Sequence, residues 1–302
     1  MENLVSPLIK PLQSAVVPDK PFMDDPYAFI TSMSELPHNA YHYISRKIDQ
    51  NWITDRDIEL IKFAYVHRYV TLSQISRLFF PEVDRERSVR LRIIRLVKYG
   101  LLRKVQWSSY SQPTKNRPSI YELGDSGADI LKYKFGLFLG QRDPRVSKPA
   151  SMLFRMKYIA SNVLYINLRE SFDLVHFEFH PSIKLKEEHV VPTAKYILRT
   201  PKGREMPFYL ICHREDEKWL KTIRFQARFF KEYLTTQEKE ATLVILVSSE
   251  DKALLASKIA EQEGASKFTW FVTDKDLNDY TVNLRQGFFC YHNGEKKYYD
   301  LR

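Results

Sequence analysis

The chain has 302 residues, 44% of them hydrophobic and 14% aromatic, enough to bury a real core and to build two domains. No run approaches the roughly 20 apolar residues that span a bilayer, and the first residues, broken by Pro7 and Pro11, do not read as a secretory leader. Two cysteines, Cys212 and Cys290, are too few for a disulfide framework, so the expectation is a cytoplasmic protein with no membrane partner and no cofactor.

The net charge of +10 is unevenly placed. Residues 54–140 carry 16 Lys and Arg against 9 Asp and Glu, a surplus of +7 in 87 positions. Such a concentration makes a local positive field suited to a polyanion.

Residues 1–53 read as a proline-containing arm, with Pro7, Pro11, Pro18, Pro21 and Pro26 in its first half and a short helical stretch near 40–48. From Thr54 the pattern sharpens. Thr54 is an N-cap candidate, Asp55 and Asp57 suit the first turn of a helix, and Ile58, Ile61 and Ala64 continue an apolar stripe. Thr71 opens a second helix, in which Leu72, Ile75 and Leu78 face inward and which Pro81 ends. A third helix spans 84–99 and stops at Gly100. "LLRKVQWSS" and "IYELG" then form two strands around a polar tip of about ten residues. Three helices followed by a hairpin is the order of a winged helix-turn-helix, here over 54–140.

On a 3.6-residue wheel the third helix divides cleanly. Val89, Ile93, Leu96 and Val97 form a core stripe; Arg87, Arg95 and Lys98 lie opposite it, with Ser88 and Arg92 on one flank and Arg90 on the other. Arg87, Ser88 and Arg92 are the candidates for base edges, because a guanidinium can bond guanine O6 and N7 together. Arg85, Arg90 and Arg95 are candidates for phosphates. Lys115, Asn116 and Arg117 form a basic hairpin tip suited to the minor groove or its phosphates. Thr71 and Gln74 open a helix whose free N–H groups could hold a phosphate. Leu91 and Ile94 fall on the outer side and suggest packing against another domain or subunit. The partner these residues suit is double-stranded DNA.

Residues 145–170 read as a long amphipathic helix within a linker over 141–170, and 171–302 as a mixed α/β domain with strands alternating with helices. The expected class is therefore α+β, a winged helix followed by α/β. That helix or the C-terminal domain would serve a homodimer. His176 and His180 sit on a strand, where i,i+4 separates them by roughly 13 Å, too far for one metal. Cys212 and His213 point to opposite faces, and no glycine-rich phosphate loop is present.

Three stretches, "YVTLSQISRLFF", "RLRIIRLVKYGLLRK" and "SIYELGDSGADIL", resemble the replication-relaxation proteins of plasmids and mobile elements in Gram-positive bacteria. The likeness is carried by a helix opening after Val70-Thr71, the run Gly100-Leu101-Leu102, and the pattern Tyr121-x-Leu123-x-x-x-Gly127. It covers 54–168 and is thin afterwards. It implies duplex DNA binding in replication control or conjugative transfer, with replication or relaxosome proteins as partners.

The family's second half often resembles a restriction-endonuclease core whose carboxylates would hold a divalent metal for phosphodiester hydrolysis. Here Thr193, Ile211 and His213 stand where those carboxylates would be, so the core would be degenerate and the protein not an enzyme. A metal-dependent nuclease with displaced ligands, and a scaffold whose winged helix binds protein, are the alternatives.

Overall fold

A computed structural model describes residues 23–37, 39–82, 86–216, 218–278, 284–292 and 294–299. The chain is a mixture of helices and several sheets, and its N-terminal half begins with strand β1 (Ala28–Met33) and helix α1 (Tyr41–Asp49). Helix α2 (Asp55–His67) follows from the Thr54 signal, because the Asp57 carboxylate accepts from both the Thr54 N–H (2.8 Å) and its hydroxyl (2.9 Å). Strand β2 (Val70–Thr71) leads into α3 (Leu72–Phe79), and α4 (Glu86–Lys98) precedes the hairpin β3 (Leu102–Ser109) and β4 (Ile120–Leu123). These strands form one sheet in the order β1-β3-β4-β2.

Three glycines set how the chain after the hairpin closes against the end of α4. Gly100 ends α4 at φ +71°, a left-handed position that favours a residue without Cβ. The chain after β4 then crosses this turn so closely that a Cβ on Gly124 would stand 2.3 Å from the Gly100 carbonyl oxygen, and one on Gly127 would stand 2.4 Å from that of Leu101. A short helix, α5 (Asp125–Asp129), begins at this crossing. Inside, Ile61, Ile75, Val89, Ile93, Leu96, Leu123 and Ile130 share one apolar core.

The arm expected over 1–53 is different from Met23 onward. Its residues 28–33 pair antiparallel with β3, from Ala28 opposite Ser109 to Met33 opposite Val105. Ile44 of α1 is fully buried in the core of α2–α4. A β-strand extends a hairpin without a periodic signal of its own when the partner edge supplies the hydrogen bonds.

Helix α6 (Met152–Ser171) starts later than the expected 145, since Pro144 and Pro149 interrupt the approach and the Ser151 hydroxyl accepts the Phe154 N–H at 3.2 Å. It is no spacer. Its Met156, Ile159 and Leu164 share one core with Trp107 and Ile120 of the hairpin and with Phe179, Tyr196, Phe208 and Leu246 of the sheet beyond. Most of α6 is therefore buried within the chain, which leaves it little surface for the dimer expected on 145–170.

After α6 come β5 (Asp173–Phe179), a small hairpin of β6 (Ile183–Leu185) and β7 (Glu188–Val190), then β8 (Ala194–Arg199), β9 (Glu205–Cys212), α7 (Trp219–Thr236), β10 (Thr242–Val247), α8 (Glu250–Gln262), β11 (Thr269–Thr273), α9 (Asp274–Asn278), β12 (Phe289–His292) and β13 (Glu295–Tyr298). Seven strands make one sheet in the order β13-β12-β11-β10-β9-β8-β5. Strands β9, β10 and β11 run parallel, whereas β5, β8 and β9 form an antiparallel meander. One sheet face packs on α6, and the other on α7 and α8 through Ile223, Phe229, Phe230, Ala253 and Ile259.

Candidate nucleic-acid interface

Helix α4 is anchored by Val89, Ile93 and Leu96, all buried, and its opposite side is open. Arg87, Ser88, Arg90, Leu91, Ile94, Arg95 and Lys98 are exposed there. The face is thus four cations around two apolar side chains, with Leu91 58% exposed. Among the described residues no second domain covers Leu91 or Ile94.

Arg92 does not belong to that face. Its Nε donates to Asp57 Oδ1 (2.9 Å), one Nη donates to Asp57 Oδ2, and the same Nη donates to the Trp52 carbonyl (3.0 Å). Asp57, at 1% exposure, is the N-terminal carboxylate of α2, so Arg92 rivets α4 to the start of α2. The wheel placed it on a flank, and the flank meets a buried acid. Its expected base-edge role is displaced by this ion pair.

Thr71 and Gln74 are likewise structural. The Thr71 hydroxyl accepts the Gln74 N–H (3.3 Å), Gln74 Oε1 accepts the Thr71 N–H (3.1 Å), and Gln74 Nε2 donates to the Ile159 carbonyl of α6 (2.8 Å). Both residues are buried, and their cap occupies the donors proposed for a phosphate. Arg85 lies outside the described residues.

At the hairpin tip the basic residues separate. Lys115 and Asn116 are exposed. The Arg117 side chain is 2% exposed, with its guanidinium 5.0 Å over the Trp107 ring and 3.6 Å from Asp25. It packs inside the hairpin tip, its guanidinium nitrogens buried without a hydrogen bond among the described residues, and does not face solvent.

The residues that sequence reasoning missed are Asp24 and Asp25. Asp25 accepts from the Tyr27 N–H (3.0 Å) and the Ser111 hydroxyl (2.9 Å), holding the hairpin tip. Asp24 accepts from the Glu215 N–H (2.6 Å), the Ser248 hydroxyl and Lys252 Nζ (2.7 Å), all beyond the carboxyl ends of β9 and β10. Successive residues of an extended segment point to opposite sides, so an Asp-Asp doublet joins two parts of the fold. That doublet, in a stretch otherwise short of charge, was the available signal.

In the sheet, the positions matched to a metal site hold other chemistry. The buried Thr193 hydroxyl accepts the Cys212 N–H at 2.9 Å, and Ile211 is buried among apolar neighbours. His213 Nε2 lies 3.0 Å from Gln226 Oε1, and burial pushes its imidazole down to about 3, so it is neutral. Lys157 stands near both His180 and His213, and burial lowers its ammonium. Among the described residues no group of three or more His, Cys, Asp or Glu is arranged to hold a metal ion. No helix among them is long and apolar enough to cross a membrane.

The replication-relaxation family matches residues 61–206, from inside α2 to the start of β9. The match therefore runs past α6 into the sheet. No curated protein and no solved structure matches the chain.

Proposed function

With residues 61–206 matching the replication-relaxation family as the premise, we propose that the chain binds double-stranded DNA through a winged helix-turn-helix, in the control of replication, transfer or transcription of a mobile element. Helix α4 is the recognition helix, and β3–β4 the wing. The observation that carries this reading is the exposed face of α4, where Arg87, Arg90, Arg95 and Lys98 surround Leu91 and Ile94 on a rigid, core-anchored helix. Arg87 and Ser88, in the first turn, are the base-edge readers, and Leu91 and Ile94 contact thymine methyls. Arg90, Arg95, Lys98 and the wing's Lys115 and Asn116 engage phosphates.

The sheet part serves assembly and carries no catalysis. Its order, α6, then the β5-β8-β9 meander, then α7 and a parallel β10, supports a restriction-endonuclease-type core in which Thr193, Ile211 and His213 replace the metal-binding carboxylates. A dimer, and contacts with replication or relaxosome proteins, would use this part and not α6.

Fluorescence anisotropy with a site selected from random duplexes tests the assignment. Arg87→Ala costs about 1–3 kcal/mol on the selected site and less on random DNA. Arg95→Ala weakens both alike. Equal losses for the two variants on both duplexes would remove the base-reading role of Arg87, and no loss for either would remove α4 from the interface.

A further inference from the structure

Where α2, the hairpin and α6 meet, a cavity of about 130 Å³ is lined by Arg68, Arg103, Arg142, Lys148 and Arg155, with Glu122 as its one carboxylate. We propose that this cavity is a site for a phosphate group, separate from the outer face of α4. Five cations line it against one acid, a local concentration of positive charge that draws an anion.

The acceptors at its edge are already engaged. Glu122 is shared by Arg103, whose Nε donates to Oε1 at 2.6 Å, and Arg155, which donates to Oε2. The carbonyls of Tyr65 and Val66 at the end of α2 take Arg142, each at 3.0 Å. Arg68 and Lys148 have no carboxylate partner among the described residues. Among the described residues the surplus is therefore not neutralised.

Two features show the cations are held in place. Arg155 is 2% exposed and is fixed by its bond to Glu122 and by the Tyr69 ring 4.7 Å from its guanidinium. Arg68 sits at φ 59°, ψ −59°, the centre of a strained γ-turn closed by the Tyr69 N–H on the His67 carbonyl at 2.7 Å. That turn lays its guanidinium 5.4–5.8 Å from the rings of Tyr69, Phe154 and Tyr158. A γ-turn at a residue with a Cβ persists where the surroundings fix it, and such strain gathers at ligand clamps. A single water needs about 10–15 Å³ of such volume, so the cavity admits a group several times larger. A tetrahedral oxyanion offers its oxygens to several cations at once, and guanidinium groups match it in pairs.

The experiment is calorimetric titration of the full chain with inorganic phosphate at constant ionic strength, with chloride as reference. Saturable binding of one phosphate is expected, weakened about tenfold by Arg68→Gln and by Lys148→Gln, the loss of one charge-assisted contact each. Lys258→Gln, an exposed change on α8, leaves it unaltered. Lys148 is an exposed loop residue, so its variant tests the site even if Arg68→Gln fails to fold. Competition by duplex DNA would identify the phosphate as one of a nucleic-acid backbone, and its absence would identify a free phosphate compound. Both support the site. Heats no greater than the chloride reference, or binding unchanged in both cavity variants, would overturn it.

Discussion

Arg92→Ala separates an architectural arginine from a reading one. In the fold, Asp57 is 1% exposed and receives two bonds from Arg92 and two from Thr54. Removing the guanidinium leaves a buried carboxylate with the Thr54 donors alone. Breaking a buried ion pair from one side costs about 3–5 kcal/mol. Arg92 is 20% exposed, so water reaches part of the vacated space and the lower end, about 3 kcal/mol, applies. The assay is urea unfolding of wild type, Arg92→Ala, Asp57→Asn and the double variant. Because the two residues touch, the cycle should show a coupling of about 1–3 kcal/mol. In the folded protein, preference for a selected duplex over a random one stays at the wild-type ratio. An unchanged urea midpoint together with lost preference would refute this reasoning and return Arg92 to the DNA.

Other consequences follow from the same contacts. Arg117→Ala should leave the salt dependence of duplex binding unchanged, because the guanidinium is buried against Trp107 and Asp25. Lys115→Ala should instead reduce the salt slope by about 1 without affecting the urea midpoint, and affinities at several salt concentrations distinguish the two. Gln74→Ala removes a cap partner and the bond to the Ile159 carbonyl, for about 1–2 kcal/mol of stability in unfolding and no change in duplex affinity. Stability should also fall in acid. Burial holds His67 and His180 down to about 4 and His213 to about 3, against an ordinary 6.5 in the unfolded chain. Above pH 6.5 neither state is protonated and the fold is at full stability; below it the unfolded chain takes up three protons that the fold refuses until about pH 4 or 3. Asp274, raised by burial to about 6, acts with the opposite sign but supplies one group against three. The urea midpoint should therefore drop between pH 7 and 5, less so in His213→Gln, and a midpoint rising towards pH 5 would contradict this.

Local signals were legible. Thr54 and Thr71 cap α2 and α3, Gly100 ends α4, and Val89, Ile93 and Leu96 are its buried stripe, all as periodicity and capping chemistry imply. What escaped depends on partners distant in sequence. Arg92 finds Asp57 35 residues away, Arg117 finds Asp25, and Glu122 is shared between Arg103 and Arg155. A helical wheel shows which way a charge points but not what meets it. The fate of residues 23–53 escaped for the same reason, since β1 takes its order from the edge of β3. So did α6, whose pattern of partial amphipathicity reflects burial against two sheets and not a solvent-facing linker.

The outer face of α4 as a sequence-reading surface is tested most directly by selecting duplexes from a random pool with the full chain, then repeating the selection with Arg87→Ala. The account predicts an enriched motif for the wild type, bound far more tightly than random DNA, with the variant losing preference at particular base pairs while still binding duplex. No enriched motif from the wild type, with only steeply salt-dependent binding common to all duplexes, would contradict it.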